Sequence, residues 1–280
     1  MISIRESLQE GSGQSNSGHF FHDWIPATAF WHYGVMNTPL LIQFLLCPIV
    51  LLSLLKVTAP YGRHHQSGWG PNLPNRLAWL LMELPALLVI SLLVLQSSAA
   101  TSPQAWVPLS FWMVHYAYRS FVFPALMHPS DQTFPAMLVL FAVAFNSLNG
   151  YNNAEALIAN GSHNGPLISL HFAAGTLVFI SGFVLHVQSD RIIRNLRKPG
   201  EKTYRIPHGG MFRWVSSPHY LGEIIQWTGW AILTWSLAGA AFALFTFCNL
   251  APRAISNHRW YRERFPEYPT GRRILVPGLF

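Results

Sequence analysis

The sequence predicts an all-α integral membrane protein of seven transmembrane helices, with its N-terminus outside and its C-terminus in the cytoplasm. Three observations carry that expectation. Of 280 residues, 51% are hydrophobic and only 10% are Asp, Glu, Lys or Arg, against roughly a quarter charged in an ordinary soluble domain. Residues 84–118, 156–189 and 224–252 contain no charge at all, and about 20 apolar residues are enough to cross a bilayer. The Lys and Arg residues also alternate between connections in the way that topology demands.

Taken in order, residues 1–35 read as a polar arm with an interfacial aromatic patch, and 36–280 as one membrane domain. Spans are expected over about 36–55, 77–96, 105–123, 133–150, 166–188 and 219–236. A seventh runs to about Leu250 and continues helically past Arg253 toward Tyr261. The segment YNNAEALIANGSHNG after the fourth span reads as a loop. Lys56, Arg63, Arg76, Arg119, the cluster over 191–205 and the arginines from Arg259 to Arg273 all lie at the ends of spans one, three and five, in the loops after them, or in the C-terminal tail. The connections after spans two, four and six hold no Lys or Arg. Cationic loops stay in the cytoplasm, which fixes the orientation.

Several classes are excluded. The net charge of +7 is explained by this topology and needs no nucleic acid. No basic n-region precedes an apolar run at the start, so no cleavable signal peptide is read. Cys47 and Cys248 lie in separate apolar segments and read as small buried hydrophobes. Thirteen histidines occur without HExxH or another ligand cluster, so no metal site is expected. No GxGxxG or P-loop pattern marks a soluble nucleotide fold.

The chemistry concentrates around 196–230, LRKPGEKTYRIPHGGMFRWVSSPHYLGEIIQWTGW. Arg197, Lys198, Lys202, Tyr204, Arg205 and His208 make a basic loop. Ser217 and Pro218 then suit the cap and first turn of a helix whose N-terminus favours anions. Asp190, Arg194 and Arg197 share an i, i+4, i+7 face, suited to a solvated ion-paired surface or to bidentate phosphate binding. His219 and Glu223 are likewise i, i+4. Glu83 and Glu223 are the acids within expected spans, where an ionisable group needs a partner or a wet cavity. Glu83, Tyr116 and Glu223 sit at similar depth near the cytoplasmic end. Glu83 can polarise a substrate carbonyl together with Tyr116, or form a structural pair with Arg119 or His115. From residues alone, this is a helical membrane enzyme with a polyanionic cofactor at its cytoplasmic face and an apolar substrate between its helices.

These residues resemble the steroid 5α-reductase family (3-oxo-5α-steroid 4-dehydrogenases) from about Tyr61 to Phe280. The stretches that carry the resemblance are LLMELPALL, VHYAYRSFVFP, SDRIIRNLRKPGEKTYRIPHGGMFRWVSSPHYLGE, GWAILTWSL and NHRWYRERFPEYP. It implies NADPH-dependent reduction of the Δ4 double bond of 3-oxo-Δ4 steroids of the progesterone and testosterone type. A steroid would enter from the bilayer, among membrane lipid, with a monomer as the expectation. Localisation would be multi-pass in a bacterial inner membrane or the endoplasmic reticulum. Glu83 and Tyr116 match the pair that binds the steroid 3-keto oxygen, with Glu83 protonated. Arg63, Arg119, Asp190, Arg194, Arg197, Tyr204, Arg205, His219, Glu223, Arg253, His258 and Tyr261 are carried over as cofactor-binding. The sequence departs from the family pattern at Met82, where a Gln is usual, and at His186 and His219, where asparagines are usual. A reductase of polyprenal or an enoyl thioester, and an isoprenylcysteine-type methyltransferase, are the rival enzymes. A seven-span receptor or transporter is the rival from another class, disfavoured because the polar groups gather at one face.

Overall fold

A computed structural model describes residues 36–128, 133–162, 166–196, 201 and 203–280, and the expected arm over 1–35 lies outside them. The described chain is mostly helical: α1 Thr38–Lys56, α2 Asn75–Gln96, α3 Pro103–Ala117, α4 Phe123–Leu126, α5 Ala136–Gly161, α6 Leu170–Arg194, α7 Pro218–Thr234 and α8 Leu237–Arg264. Among the described residues, four of these helices (α1, α2, α6 and α8) are long and apolar enough to cross a membrane.

Side-chain caps set several starts. Asn37 accepts from Leu40 N at 2.9 Å, Ser169 from Phe172 N at 3.2 Å and Ser236 from Gly239 N at 3.0 Å, each satisfying an amide that helix geometry leaves bare. Trp235 takes a left-handed conformation, φ 46° and ψ 45°, and so ends α7 one residue before Ser236 caps α8.

Two features depart from the sequence reading. The 151–161 segment is not a loop but the last three turns of α5. Asn152 and Asn153, with Asn149 just before them, are buried and bind side chains of other helices, although Asn149 Nδ2 and Asn152 Oδ1 have no hydrogen-bond partner among the described residues. Gln43 Nε2 donates to Asn149 Oδ1 at 2.9 Å, Asn152 Nδ2 to Gln43 Oε1 at 2.6 Å, and Trp230 Nε1 to Asn153 Oδ1 at 2.7 Å. Asparagine favours loops because it competes locally for backbone groups, and that preference is overridden here by partners far along the chain. A short antiparallel ribbon is also present, β1 Asn72–Pro74 on β2 Thr133–Pro135, with Leu73 opposite Phe134.

The most intimate packing joins α6 to α7. Gly175, Gly182, Gly222 and Gly229 form a seam so close that a Cβ on Gly182 would lie 2.3 Å from Gln226 N. One on Gly222 would lie 2.5 Å from His186 N. Small residues let two backbones approach where helices meet in lipid. The seam thereby sets His186 against the first turns of α7. Below it, Trp112, Trp227, Trp230 and Phe242 form an aromatic core, with Trp112 Nε1 donating to Ala86 O at 2.9 Å. Cys47 of α1 and Cys248 of α8 meet in a separate cluster with Phe245.

Between α3 and α4 the chain forms a π-helical segment, Tyr118–Val122. Such a bulge inserts a residue into the helical repeat and is common at functional sites. It carries Arg119, which is buried.

Candidate active site

A cavity of ≈ 630 Å³ opens between these helices, and its walls differ from end to end. Phe141, Phe145, Phe242 and Phe245 line its apolar part, whereas Arg63, Tyr204, Tyr61 and Arg253 stand at a polar mouth. Nine of the residues singled out from sequence line this one cavity: Glu83, Tyr116, Arg63, Arg119, Asp190, Tyr204, His219, Glu223 and Arg253.

A line of ionic contacts runs across it. The π segment points Arg119 back at α2, where Nε and Nη2 both donate to Glu83 Oε1, at 3.3 and 3.2 Å. Arg119 Nη1 lies 3.6 Å from Asp190 Oδ2 on α6. One helical turn earlier on α6, His186 Nε2 approaches the same Asp190 oxygen at 3.3 Å, and its Nδ1 lies 3.2 Å from Glu223 Oε1 on α7. Glu83, Arg119, Asp190, His186 and Glu223 thus form a chain from four separate elements. The guanidinium of Arg119 stacks over Trp79 at 4.4 Å and Phe123 at 4.8 Å, which helps to hold a buried cation. The Arg119 pairing weighed for Glu83 from sequence is therefore present. Tyr116 is 2% exposed, packed against Trp112 and Trp227.

The mouth is built for negative charge. Arg63 lies over Tyr261, Trp260 and Tyr204, at 4.6, 4.7 and 5.3 Å from their ring centroids. Arg253 Nη1 donates to Tyr61 Oη at 3.2 Å, and Tyr61 Oη is 3.4 Å from Tyr220 Oη. Arg63 Nη1 and Arg253 Nε are buried and have no hydrogen-bond partner among the described residues, as is also true of His219 Nδ1 and Ser217 Oγ. Buried donors without partners cost free energy, so an anionic ligand with several acceptors fits this end. Burial pushes His64, beside Arg63, below the ordinary histidine range, although Asn257 lies 3.3 Å from its Nε2.

The remaining predicted residues lie apart from the cavity wall. Tyr261 supports Arg63 from behind. His258 Nδ1 is 2.6 Å from Ser216 Oγ, which also meets Tyr268 Oη at 2.7 Å, so this histidine fastens the start of α7 to the C-terminal segment. Arg194 closes α6 with one buried donor, Nη1, unpartnered among the described residues. Arg205 pairs with Glu201 on the surface. Arg197 lies outside the described residues. Sequence reasoning did not single out Tyr61, Trp79 or Tyr220. Each is an aromatic residue in an unremarkable context, and only the fold brings them to the wall. His115 was read only as an alternative partner for Glu83; its Nδ1 is instead 2.9 Å from Gln226 Nε2. Among the described residues no cluster of His, Cys, Asp or Glu could hold a metal.

Residues 132–280 match the family model described as 3-oxo-5-alpha-steroid 4-dehydrogenase. The chain belongs to that family. It is 40% identical over 238 residues to the 3-oxo-5-alpha-steroid 4-dehydrogenase 1 of Bos taurus, covering 82% of this chain and 92% of that protein. A steroid 5-alpha-reductase of Gossypium hirsutum is 37% identical over 247 residues, 86% of this chain and 96% of its own. The human 3-oxo-5-alpha-steroid 4-dehydrogenase 1 is 37% identical over 226 residues, 79% of this chain and 86% of its own. At 86% of the chain the cotton alignment reaches into the first 60 residues, farther than the resemblance traced from motifs. Membership makes the chain an oxidoreductase of a steroid-reducing family, and the four apolar helices fit a membrane protein.

Proposed function

We propose that this protein reduces the Δ4 double bond of 3-oxo-Δ4 steroids to 5α-dihydro steroids, with NADPH as reductant. The observation that carries the reading is one cavity lined by an acid and a buried phenol, Glu83 and Tyr116, by phenylalanines, and by arginines with buried donors unpartnered among the described residues. The seven-span topology with the mouth on the cytoplasmic side is part of the same proposal.

The mouth residues fit the cofactor. Arg63 and Arg253 would take phosphate oxygens, Tyr204 would flank an aromatic or ribose group, and Asp190, His219 and Glu223 offer the polar atoms suited to an amide. Arg194, Arg197, Arg205, His258 and Tyr261 complete the proposed binding set, some of them through the residues they hold. When bound, NADPH supplies the hydride. The chain's own residues then have three tasks. Tyr116 donates a hydrogen bond to the 3-keto oxygen as negative charge develops there, which is oxyanion-type stabilisation. Glu83 takes both Arg119 bonds on Oε1, so a proton on Oε2 would give the ketone a second donor, the device of a carboxylic acid held neutral by its surroundings. The phenylalanine walls exclude water from the reacting carbons.

The test is NADPH consumption by detergent-purified protein with progesterone or testosterone, the product identified by mass spectrometry and retention time. A 5α-dihydro product that disappears with Tyr116→Phe supports the reading. NADPH binding without steroid reduction moves the substrate to another membrane enone or enoyl lipid. No NADPH binding sinks the proposal.

A further inference from the structure

His186 sits where the ionic chain changes helix, and the proposed chemistry leaves it unused. It is 0% exposed. Its Nδ1 faces only acceptors, Glu223 Oε1 at 3.2 Å and the His219 carbonyl at 3.4 Å, so Nδ1 carries a proton. Its Nε2 faces Asp190 Oδ2 at 3.3 Å, an ion-pair approach rather than a straight hydrogen bond. Both atoms are buried and have no hydrogen-bond partner among the described residues, although Arg119 Nη1 lies 3.6 Å from the Asp190 oxygen. A neutral imidazole has one N–H. Two bare atoms facing each other in a buried site are satisfied only by a further proton between them.

The two nearest acids, Asp190 and Glu223, favour a cation at this place, against the positive charge of Arg119. Asp190 approaches from α6 itself, and Glu223 and the His219 carbonyl from α7. From α3 and the π segment come the His115 ring at 6.0 Å, the Tyr118 ring at 6.3 Å and Arg119, the last already paired with Glu83 of α2. With Glu83 protonated as proposed above, Arg119 balances Asp190 and the imidazole is the group placed to balance Glu223.

We infer that His186, Asp190 and Glu223 form a proton store for the reduction, with Glu223 handing the proton into the cavity and His186 the positioning residue that recharges it. The inference rests on the steroid-reductase reading above. Saturating a C4=C5 bond consumes one proton beyond the hydride. As the C5–H bond forms, the π electrons move onto the C3 oxygen. The C3 carbonyl then re-forms and the C3=C4 electrons make the C4–H bond with a proton that Glu223, a carboxylate at rest, takes from His186 Nδ1 and gives up again. His186 keeps its Nε2 proton facing Asp190 and recovers the other from solvent. Glu223 lines the cavity whereas His186 does not, which is why the transfer runs through the acid.

The experiment combines nitrogen-15 NMR of histidine-labelled full-length protein with pH-dependent kinetics, for the wild type and His186→Asn, the residue of the family pattern and so a variant expected to fold. A wild-type ring with both nitrogens protonated at neutral pH, its signal assigned by loss in the variant, is the expected spectrum. His186→Asn should lower kcat roughly 10²-fold, the usual size of a proton-transfer contribution. It should abolish the alkaline fall of the wild-type profile and leave retention on a 2′-phosphate resin unchanged. A wild-type ring with one bare nitrogen overturns the proposal. So does a variant that keeps kcat and the alkaline limb, or one that loses cofactor retention in step with kcat. If the wild type retains cofactor but reduces no steroid, the reading of function fails, while the spectrum still decides the proton count.

Discussion

Arg119 spends two hydrogen bonds on a single oxygen of Glu83, Oε1, and leaves the carboxyl's other oxygen out of the pair. An acid bound in this way can carry a proton on Oε2 while Oε1 serves as the acceptor. Replacing Glu83 by Gln preserves an acceptor for Arg119 and an N–H donor for a ketone. Replacement by Leu leaves the guanidinium buried without that partner, a loss of about 3–5 kcal/mol for a buried pair. Glu83→Leu should lower kcat by roughly 10²–10³, the cost of one oxyanion donor, and should lower the melting temperature, with Glu83→Gln milder in both. Equal losses from the two variants would show that the carboxyl's charge is what matters.

Arg63 lies over three aromatic rings and keeps one buried donor without a partner among the described residues. Its planar group can stack and bind phosphate at once, which an ammonium cannot. Arg63→Ala and Arg63→Lys should both raise the KM for NADPH by about tenfold, near 1.4 kcal/mol, with little change in kcat. Rescue by lysine would reduce the role of Arg63 to charge alone.

The glycine seam gives a direct test of the fold. A methyl group at Gly182 or Gly222 would meet backbone atoms at 2.3 or 2.5 Å, and backbone cannot step aside as a side-chain tip can. Gly182→Ala and Gly222→Ala should each cost about 1–3 kcal/mol or more, seen as a lower melting temperature in detergent and poor recovery. At Gly271 nothing lies within 4 Å of an added Cβ, so Gly271→Ala is the matched control and should behave as wild type.

Cys47 and Cys248 are about 200 residues apart in sequence, yet they pack in one cluster between α1 and α8. A short, membrane-permeant bis-thiol reagent should join α1 to α8 within one chain, read as a cross-linked peptide by mass spectrometry and lost in Cys47→Ser. Separate labelling of both thiols would contradict this packing.

Much of the site was legible because membrane sequences are economical with charge. Glu83 and Glu223 stood out against apolar surroundings, and burial in lipid demands partners for such groups. Arg194, Arg205, His258 and Tyr261 were equally visible but line no part of the cavity, since spacing along a chain does not say which side chain a neighbouring helix will cover. Tyr61 and Trp79 were invisible for the opposite reason: aromatic residues are common in membrane proteins, and only Arg253 and Arg119 beside them mark them out. The amides of α5 were misread as a loop because local preference was the only signal available. Their partners, Gln43 and Trp230, lie 109 and 77 residues away from the asparagines they bind.

Those amides also constrain how the chain is made. Ribosomes deliver α1 first, so Gln43 enters the bilayer as a lone amide in an otherwise apolar helix, a tolerable burden. On the proposed seven-span topology, α5 arrives with Asn149, Asn152 and Asn153 together, polar groups that lipid holds poorly without partners. It would then wait for α1, and Asn153 for Trp230 of α7, to which these amides bind in the folded chain. Synthesis therefore imposes an order of assembly. Gln43→Leu should leave finished copies active but send more nascent chains to degradation, a deficit in yield rather than in turnover, measurable by pulse-chase labelling.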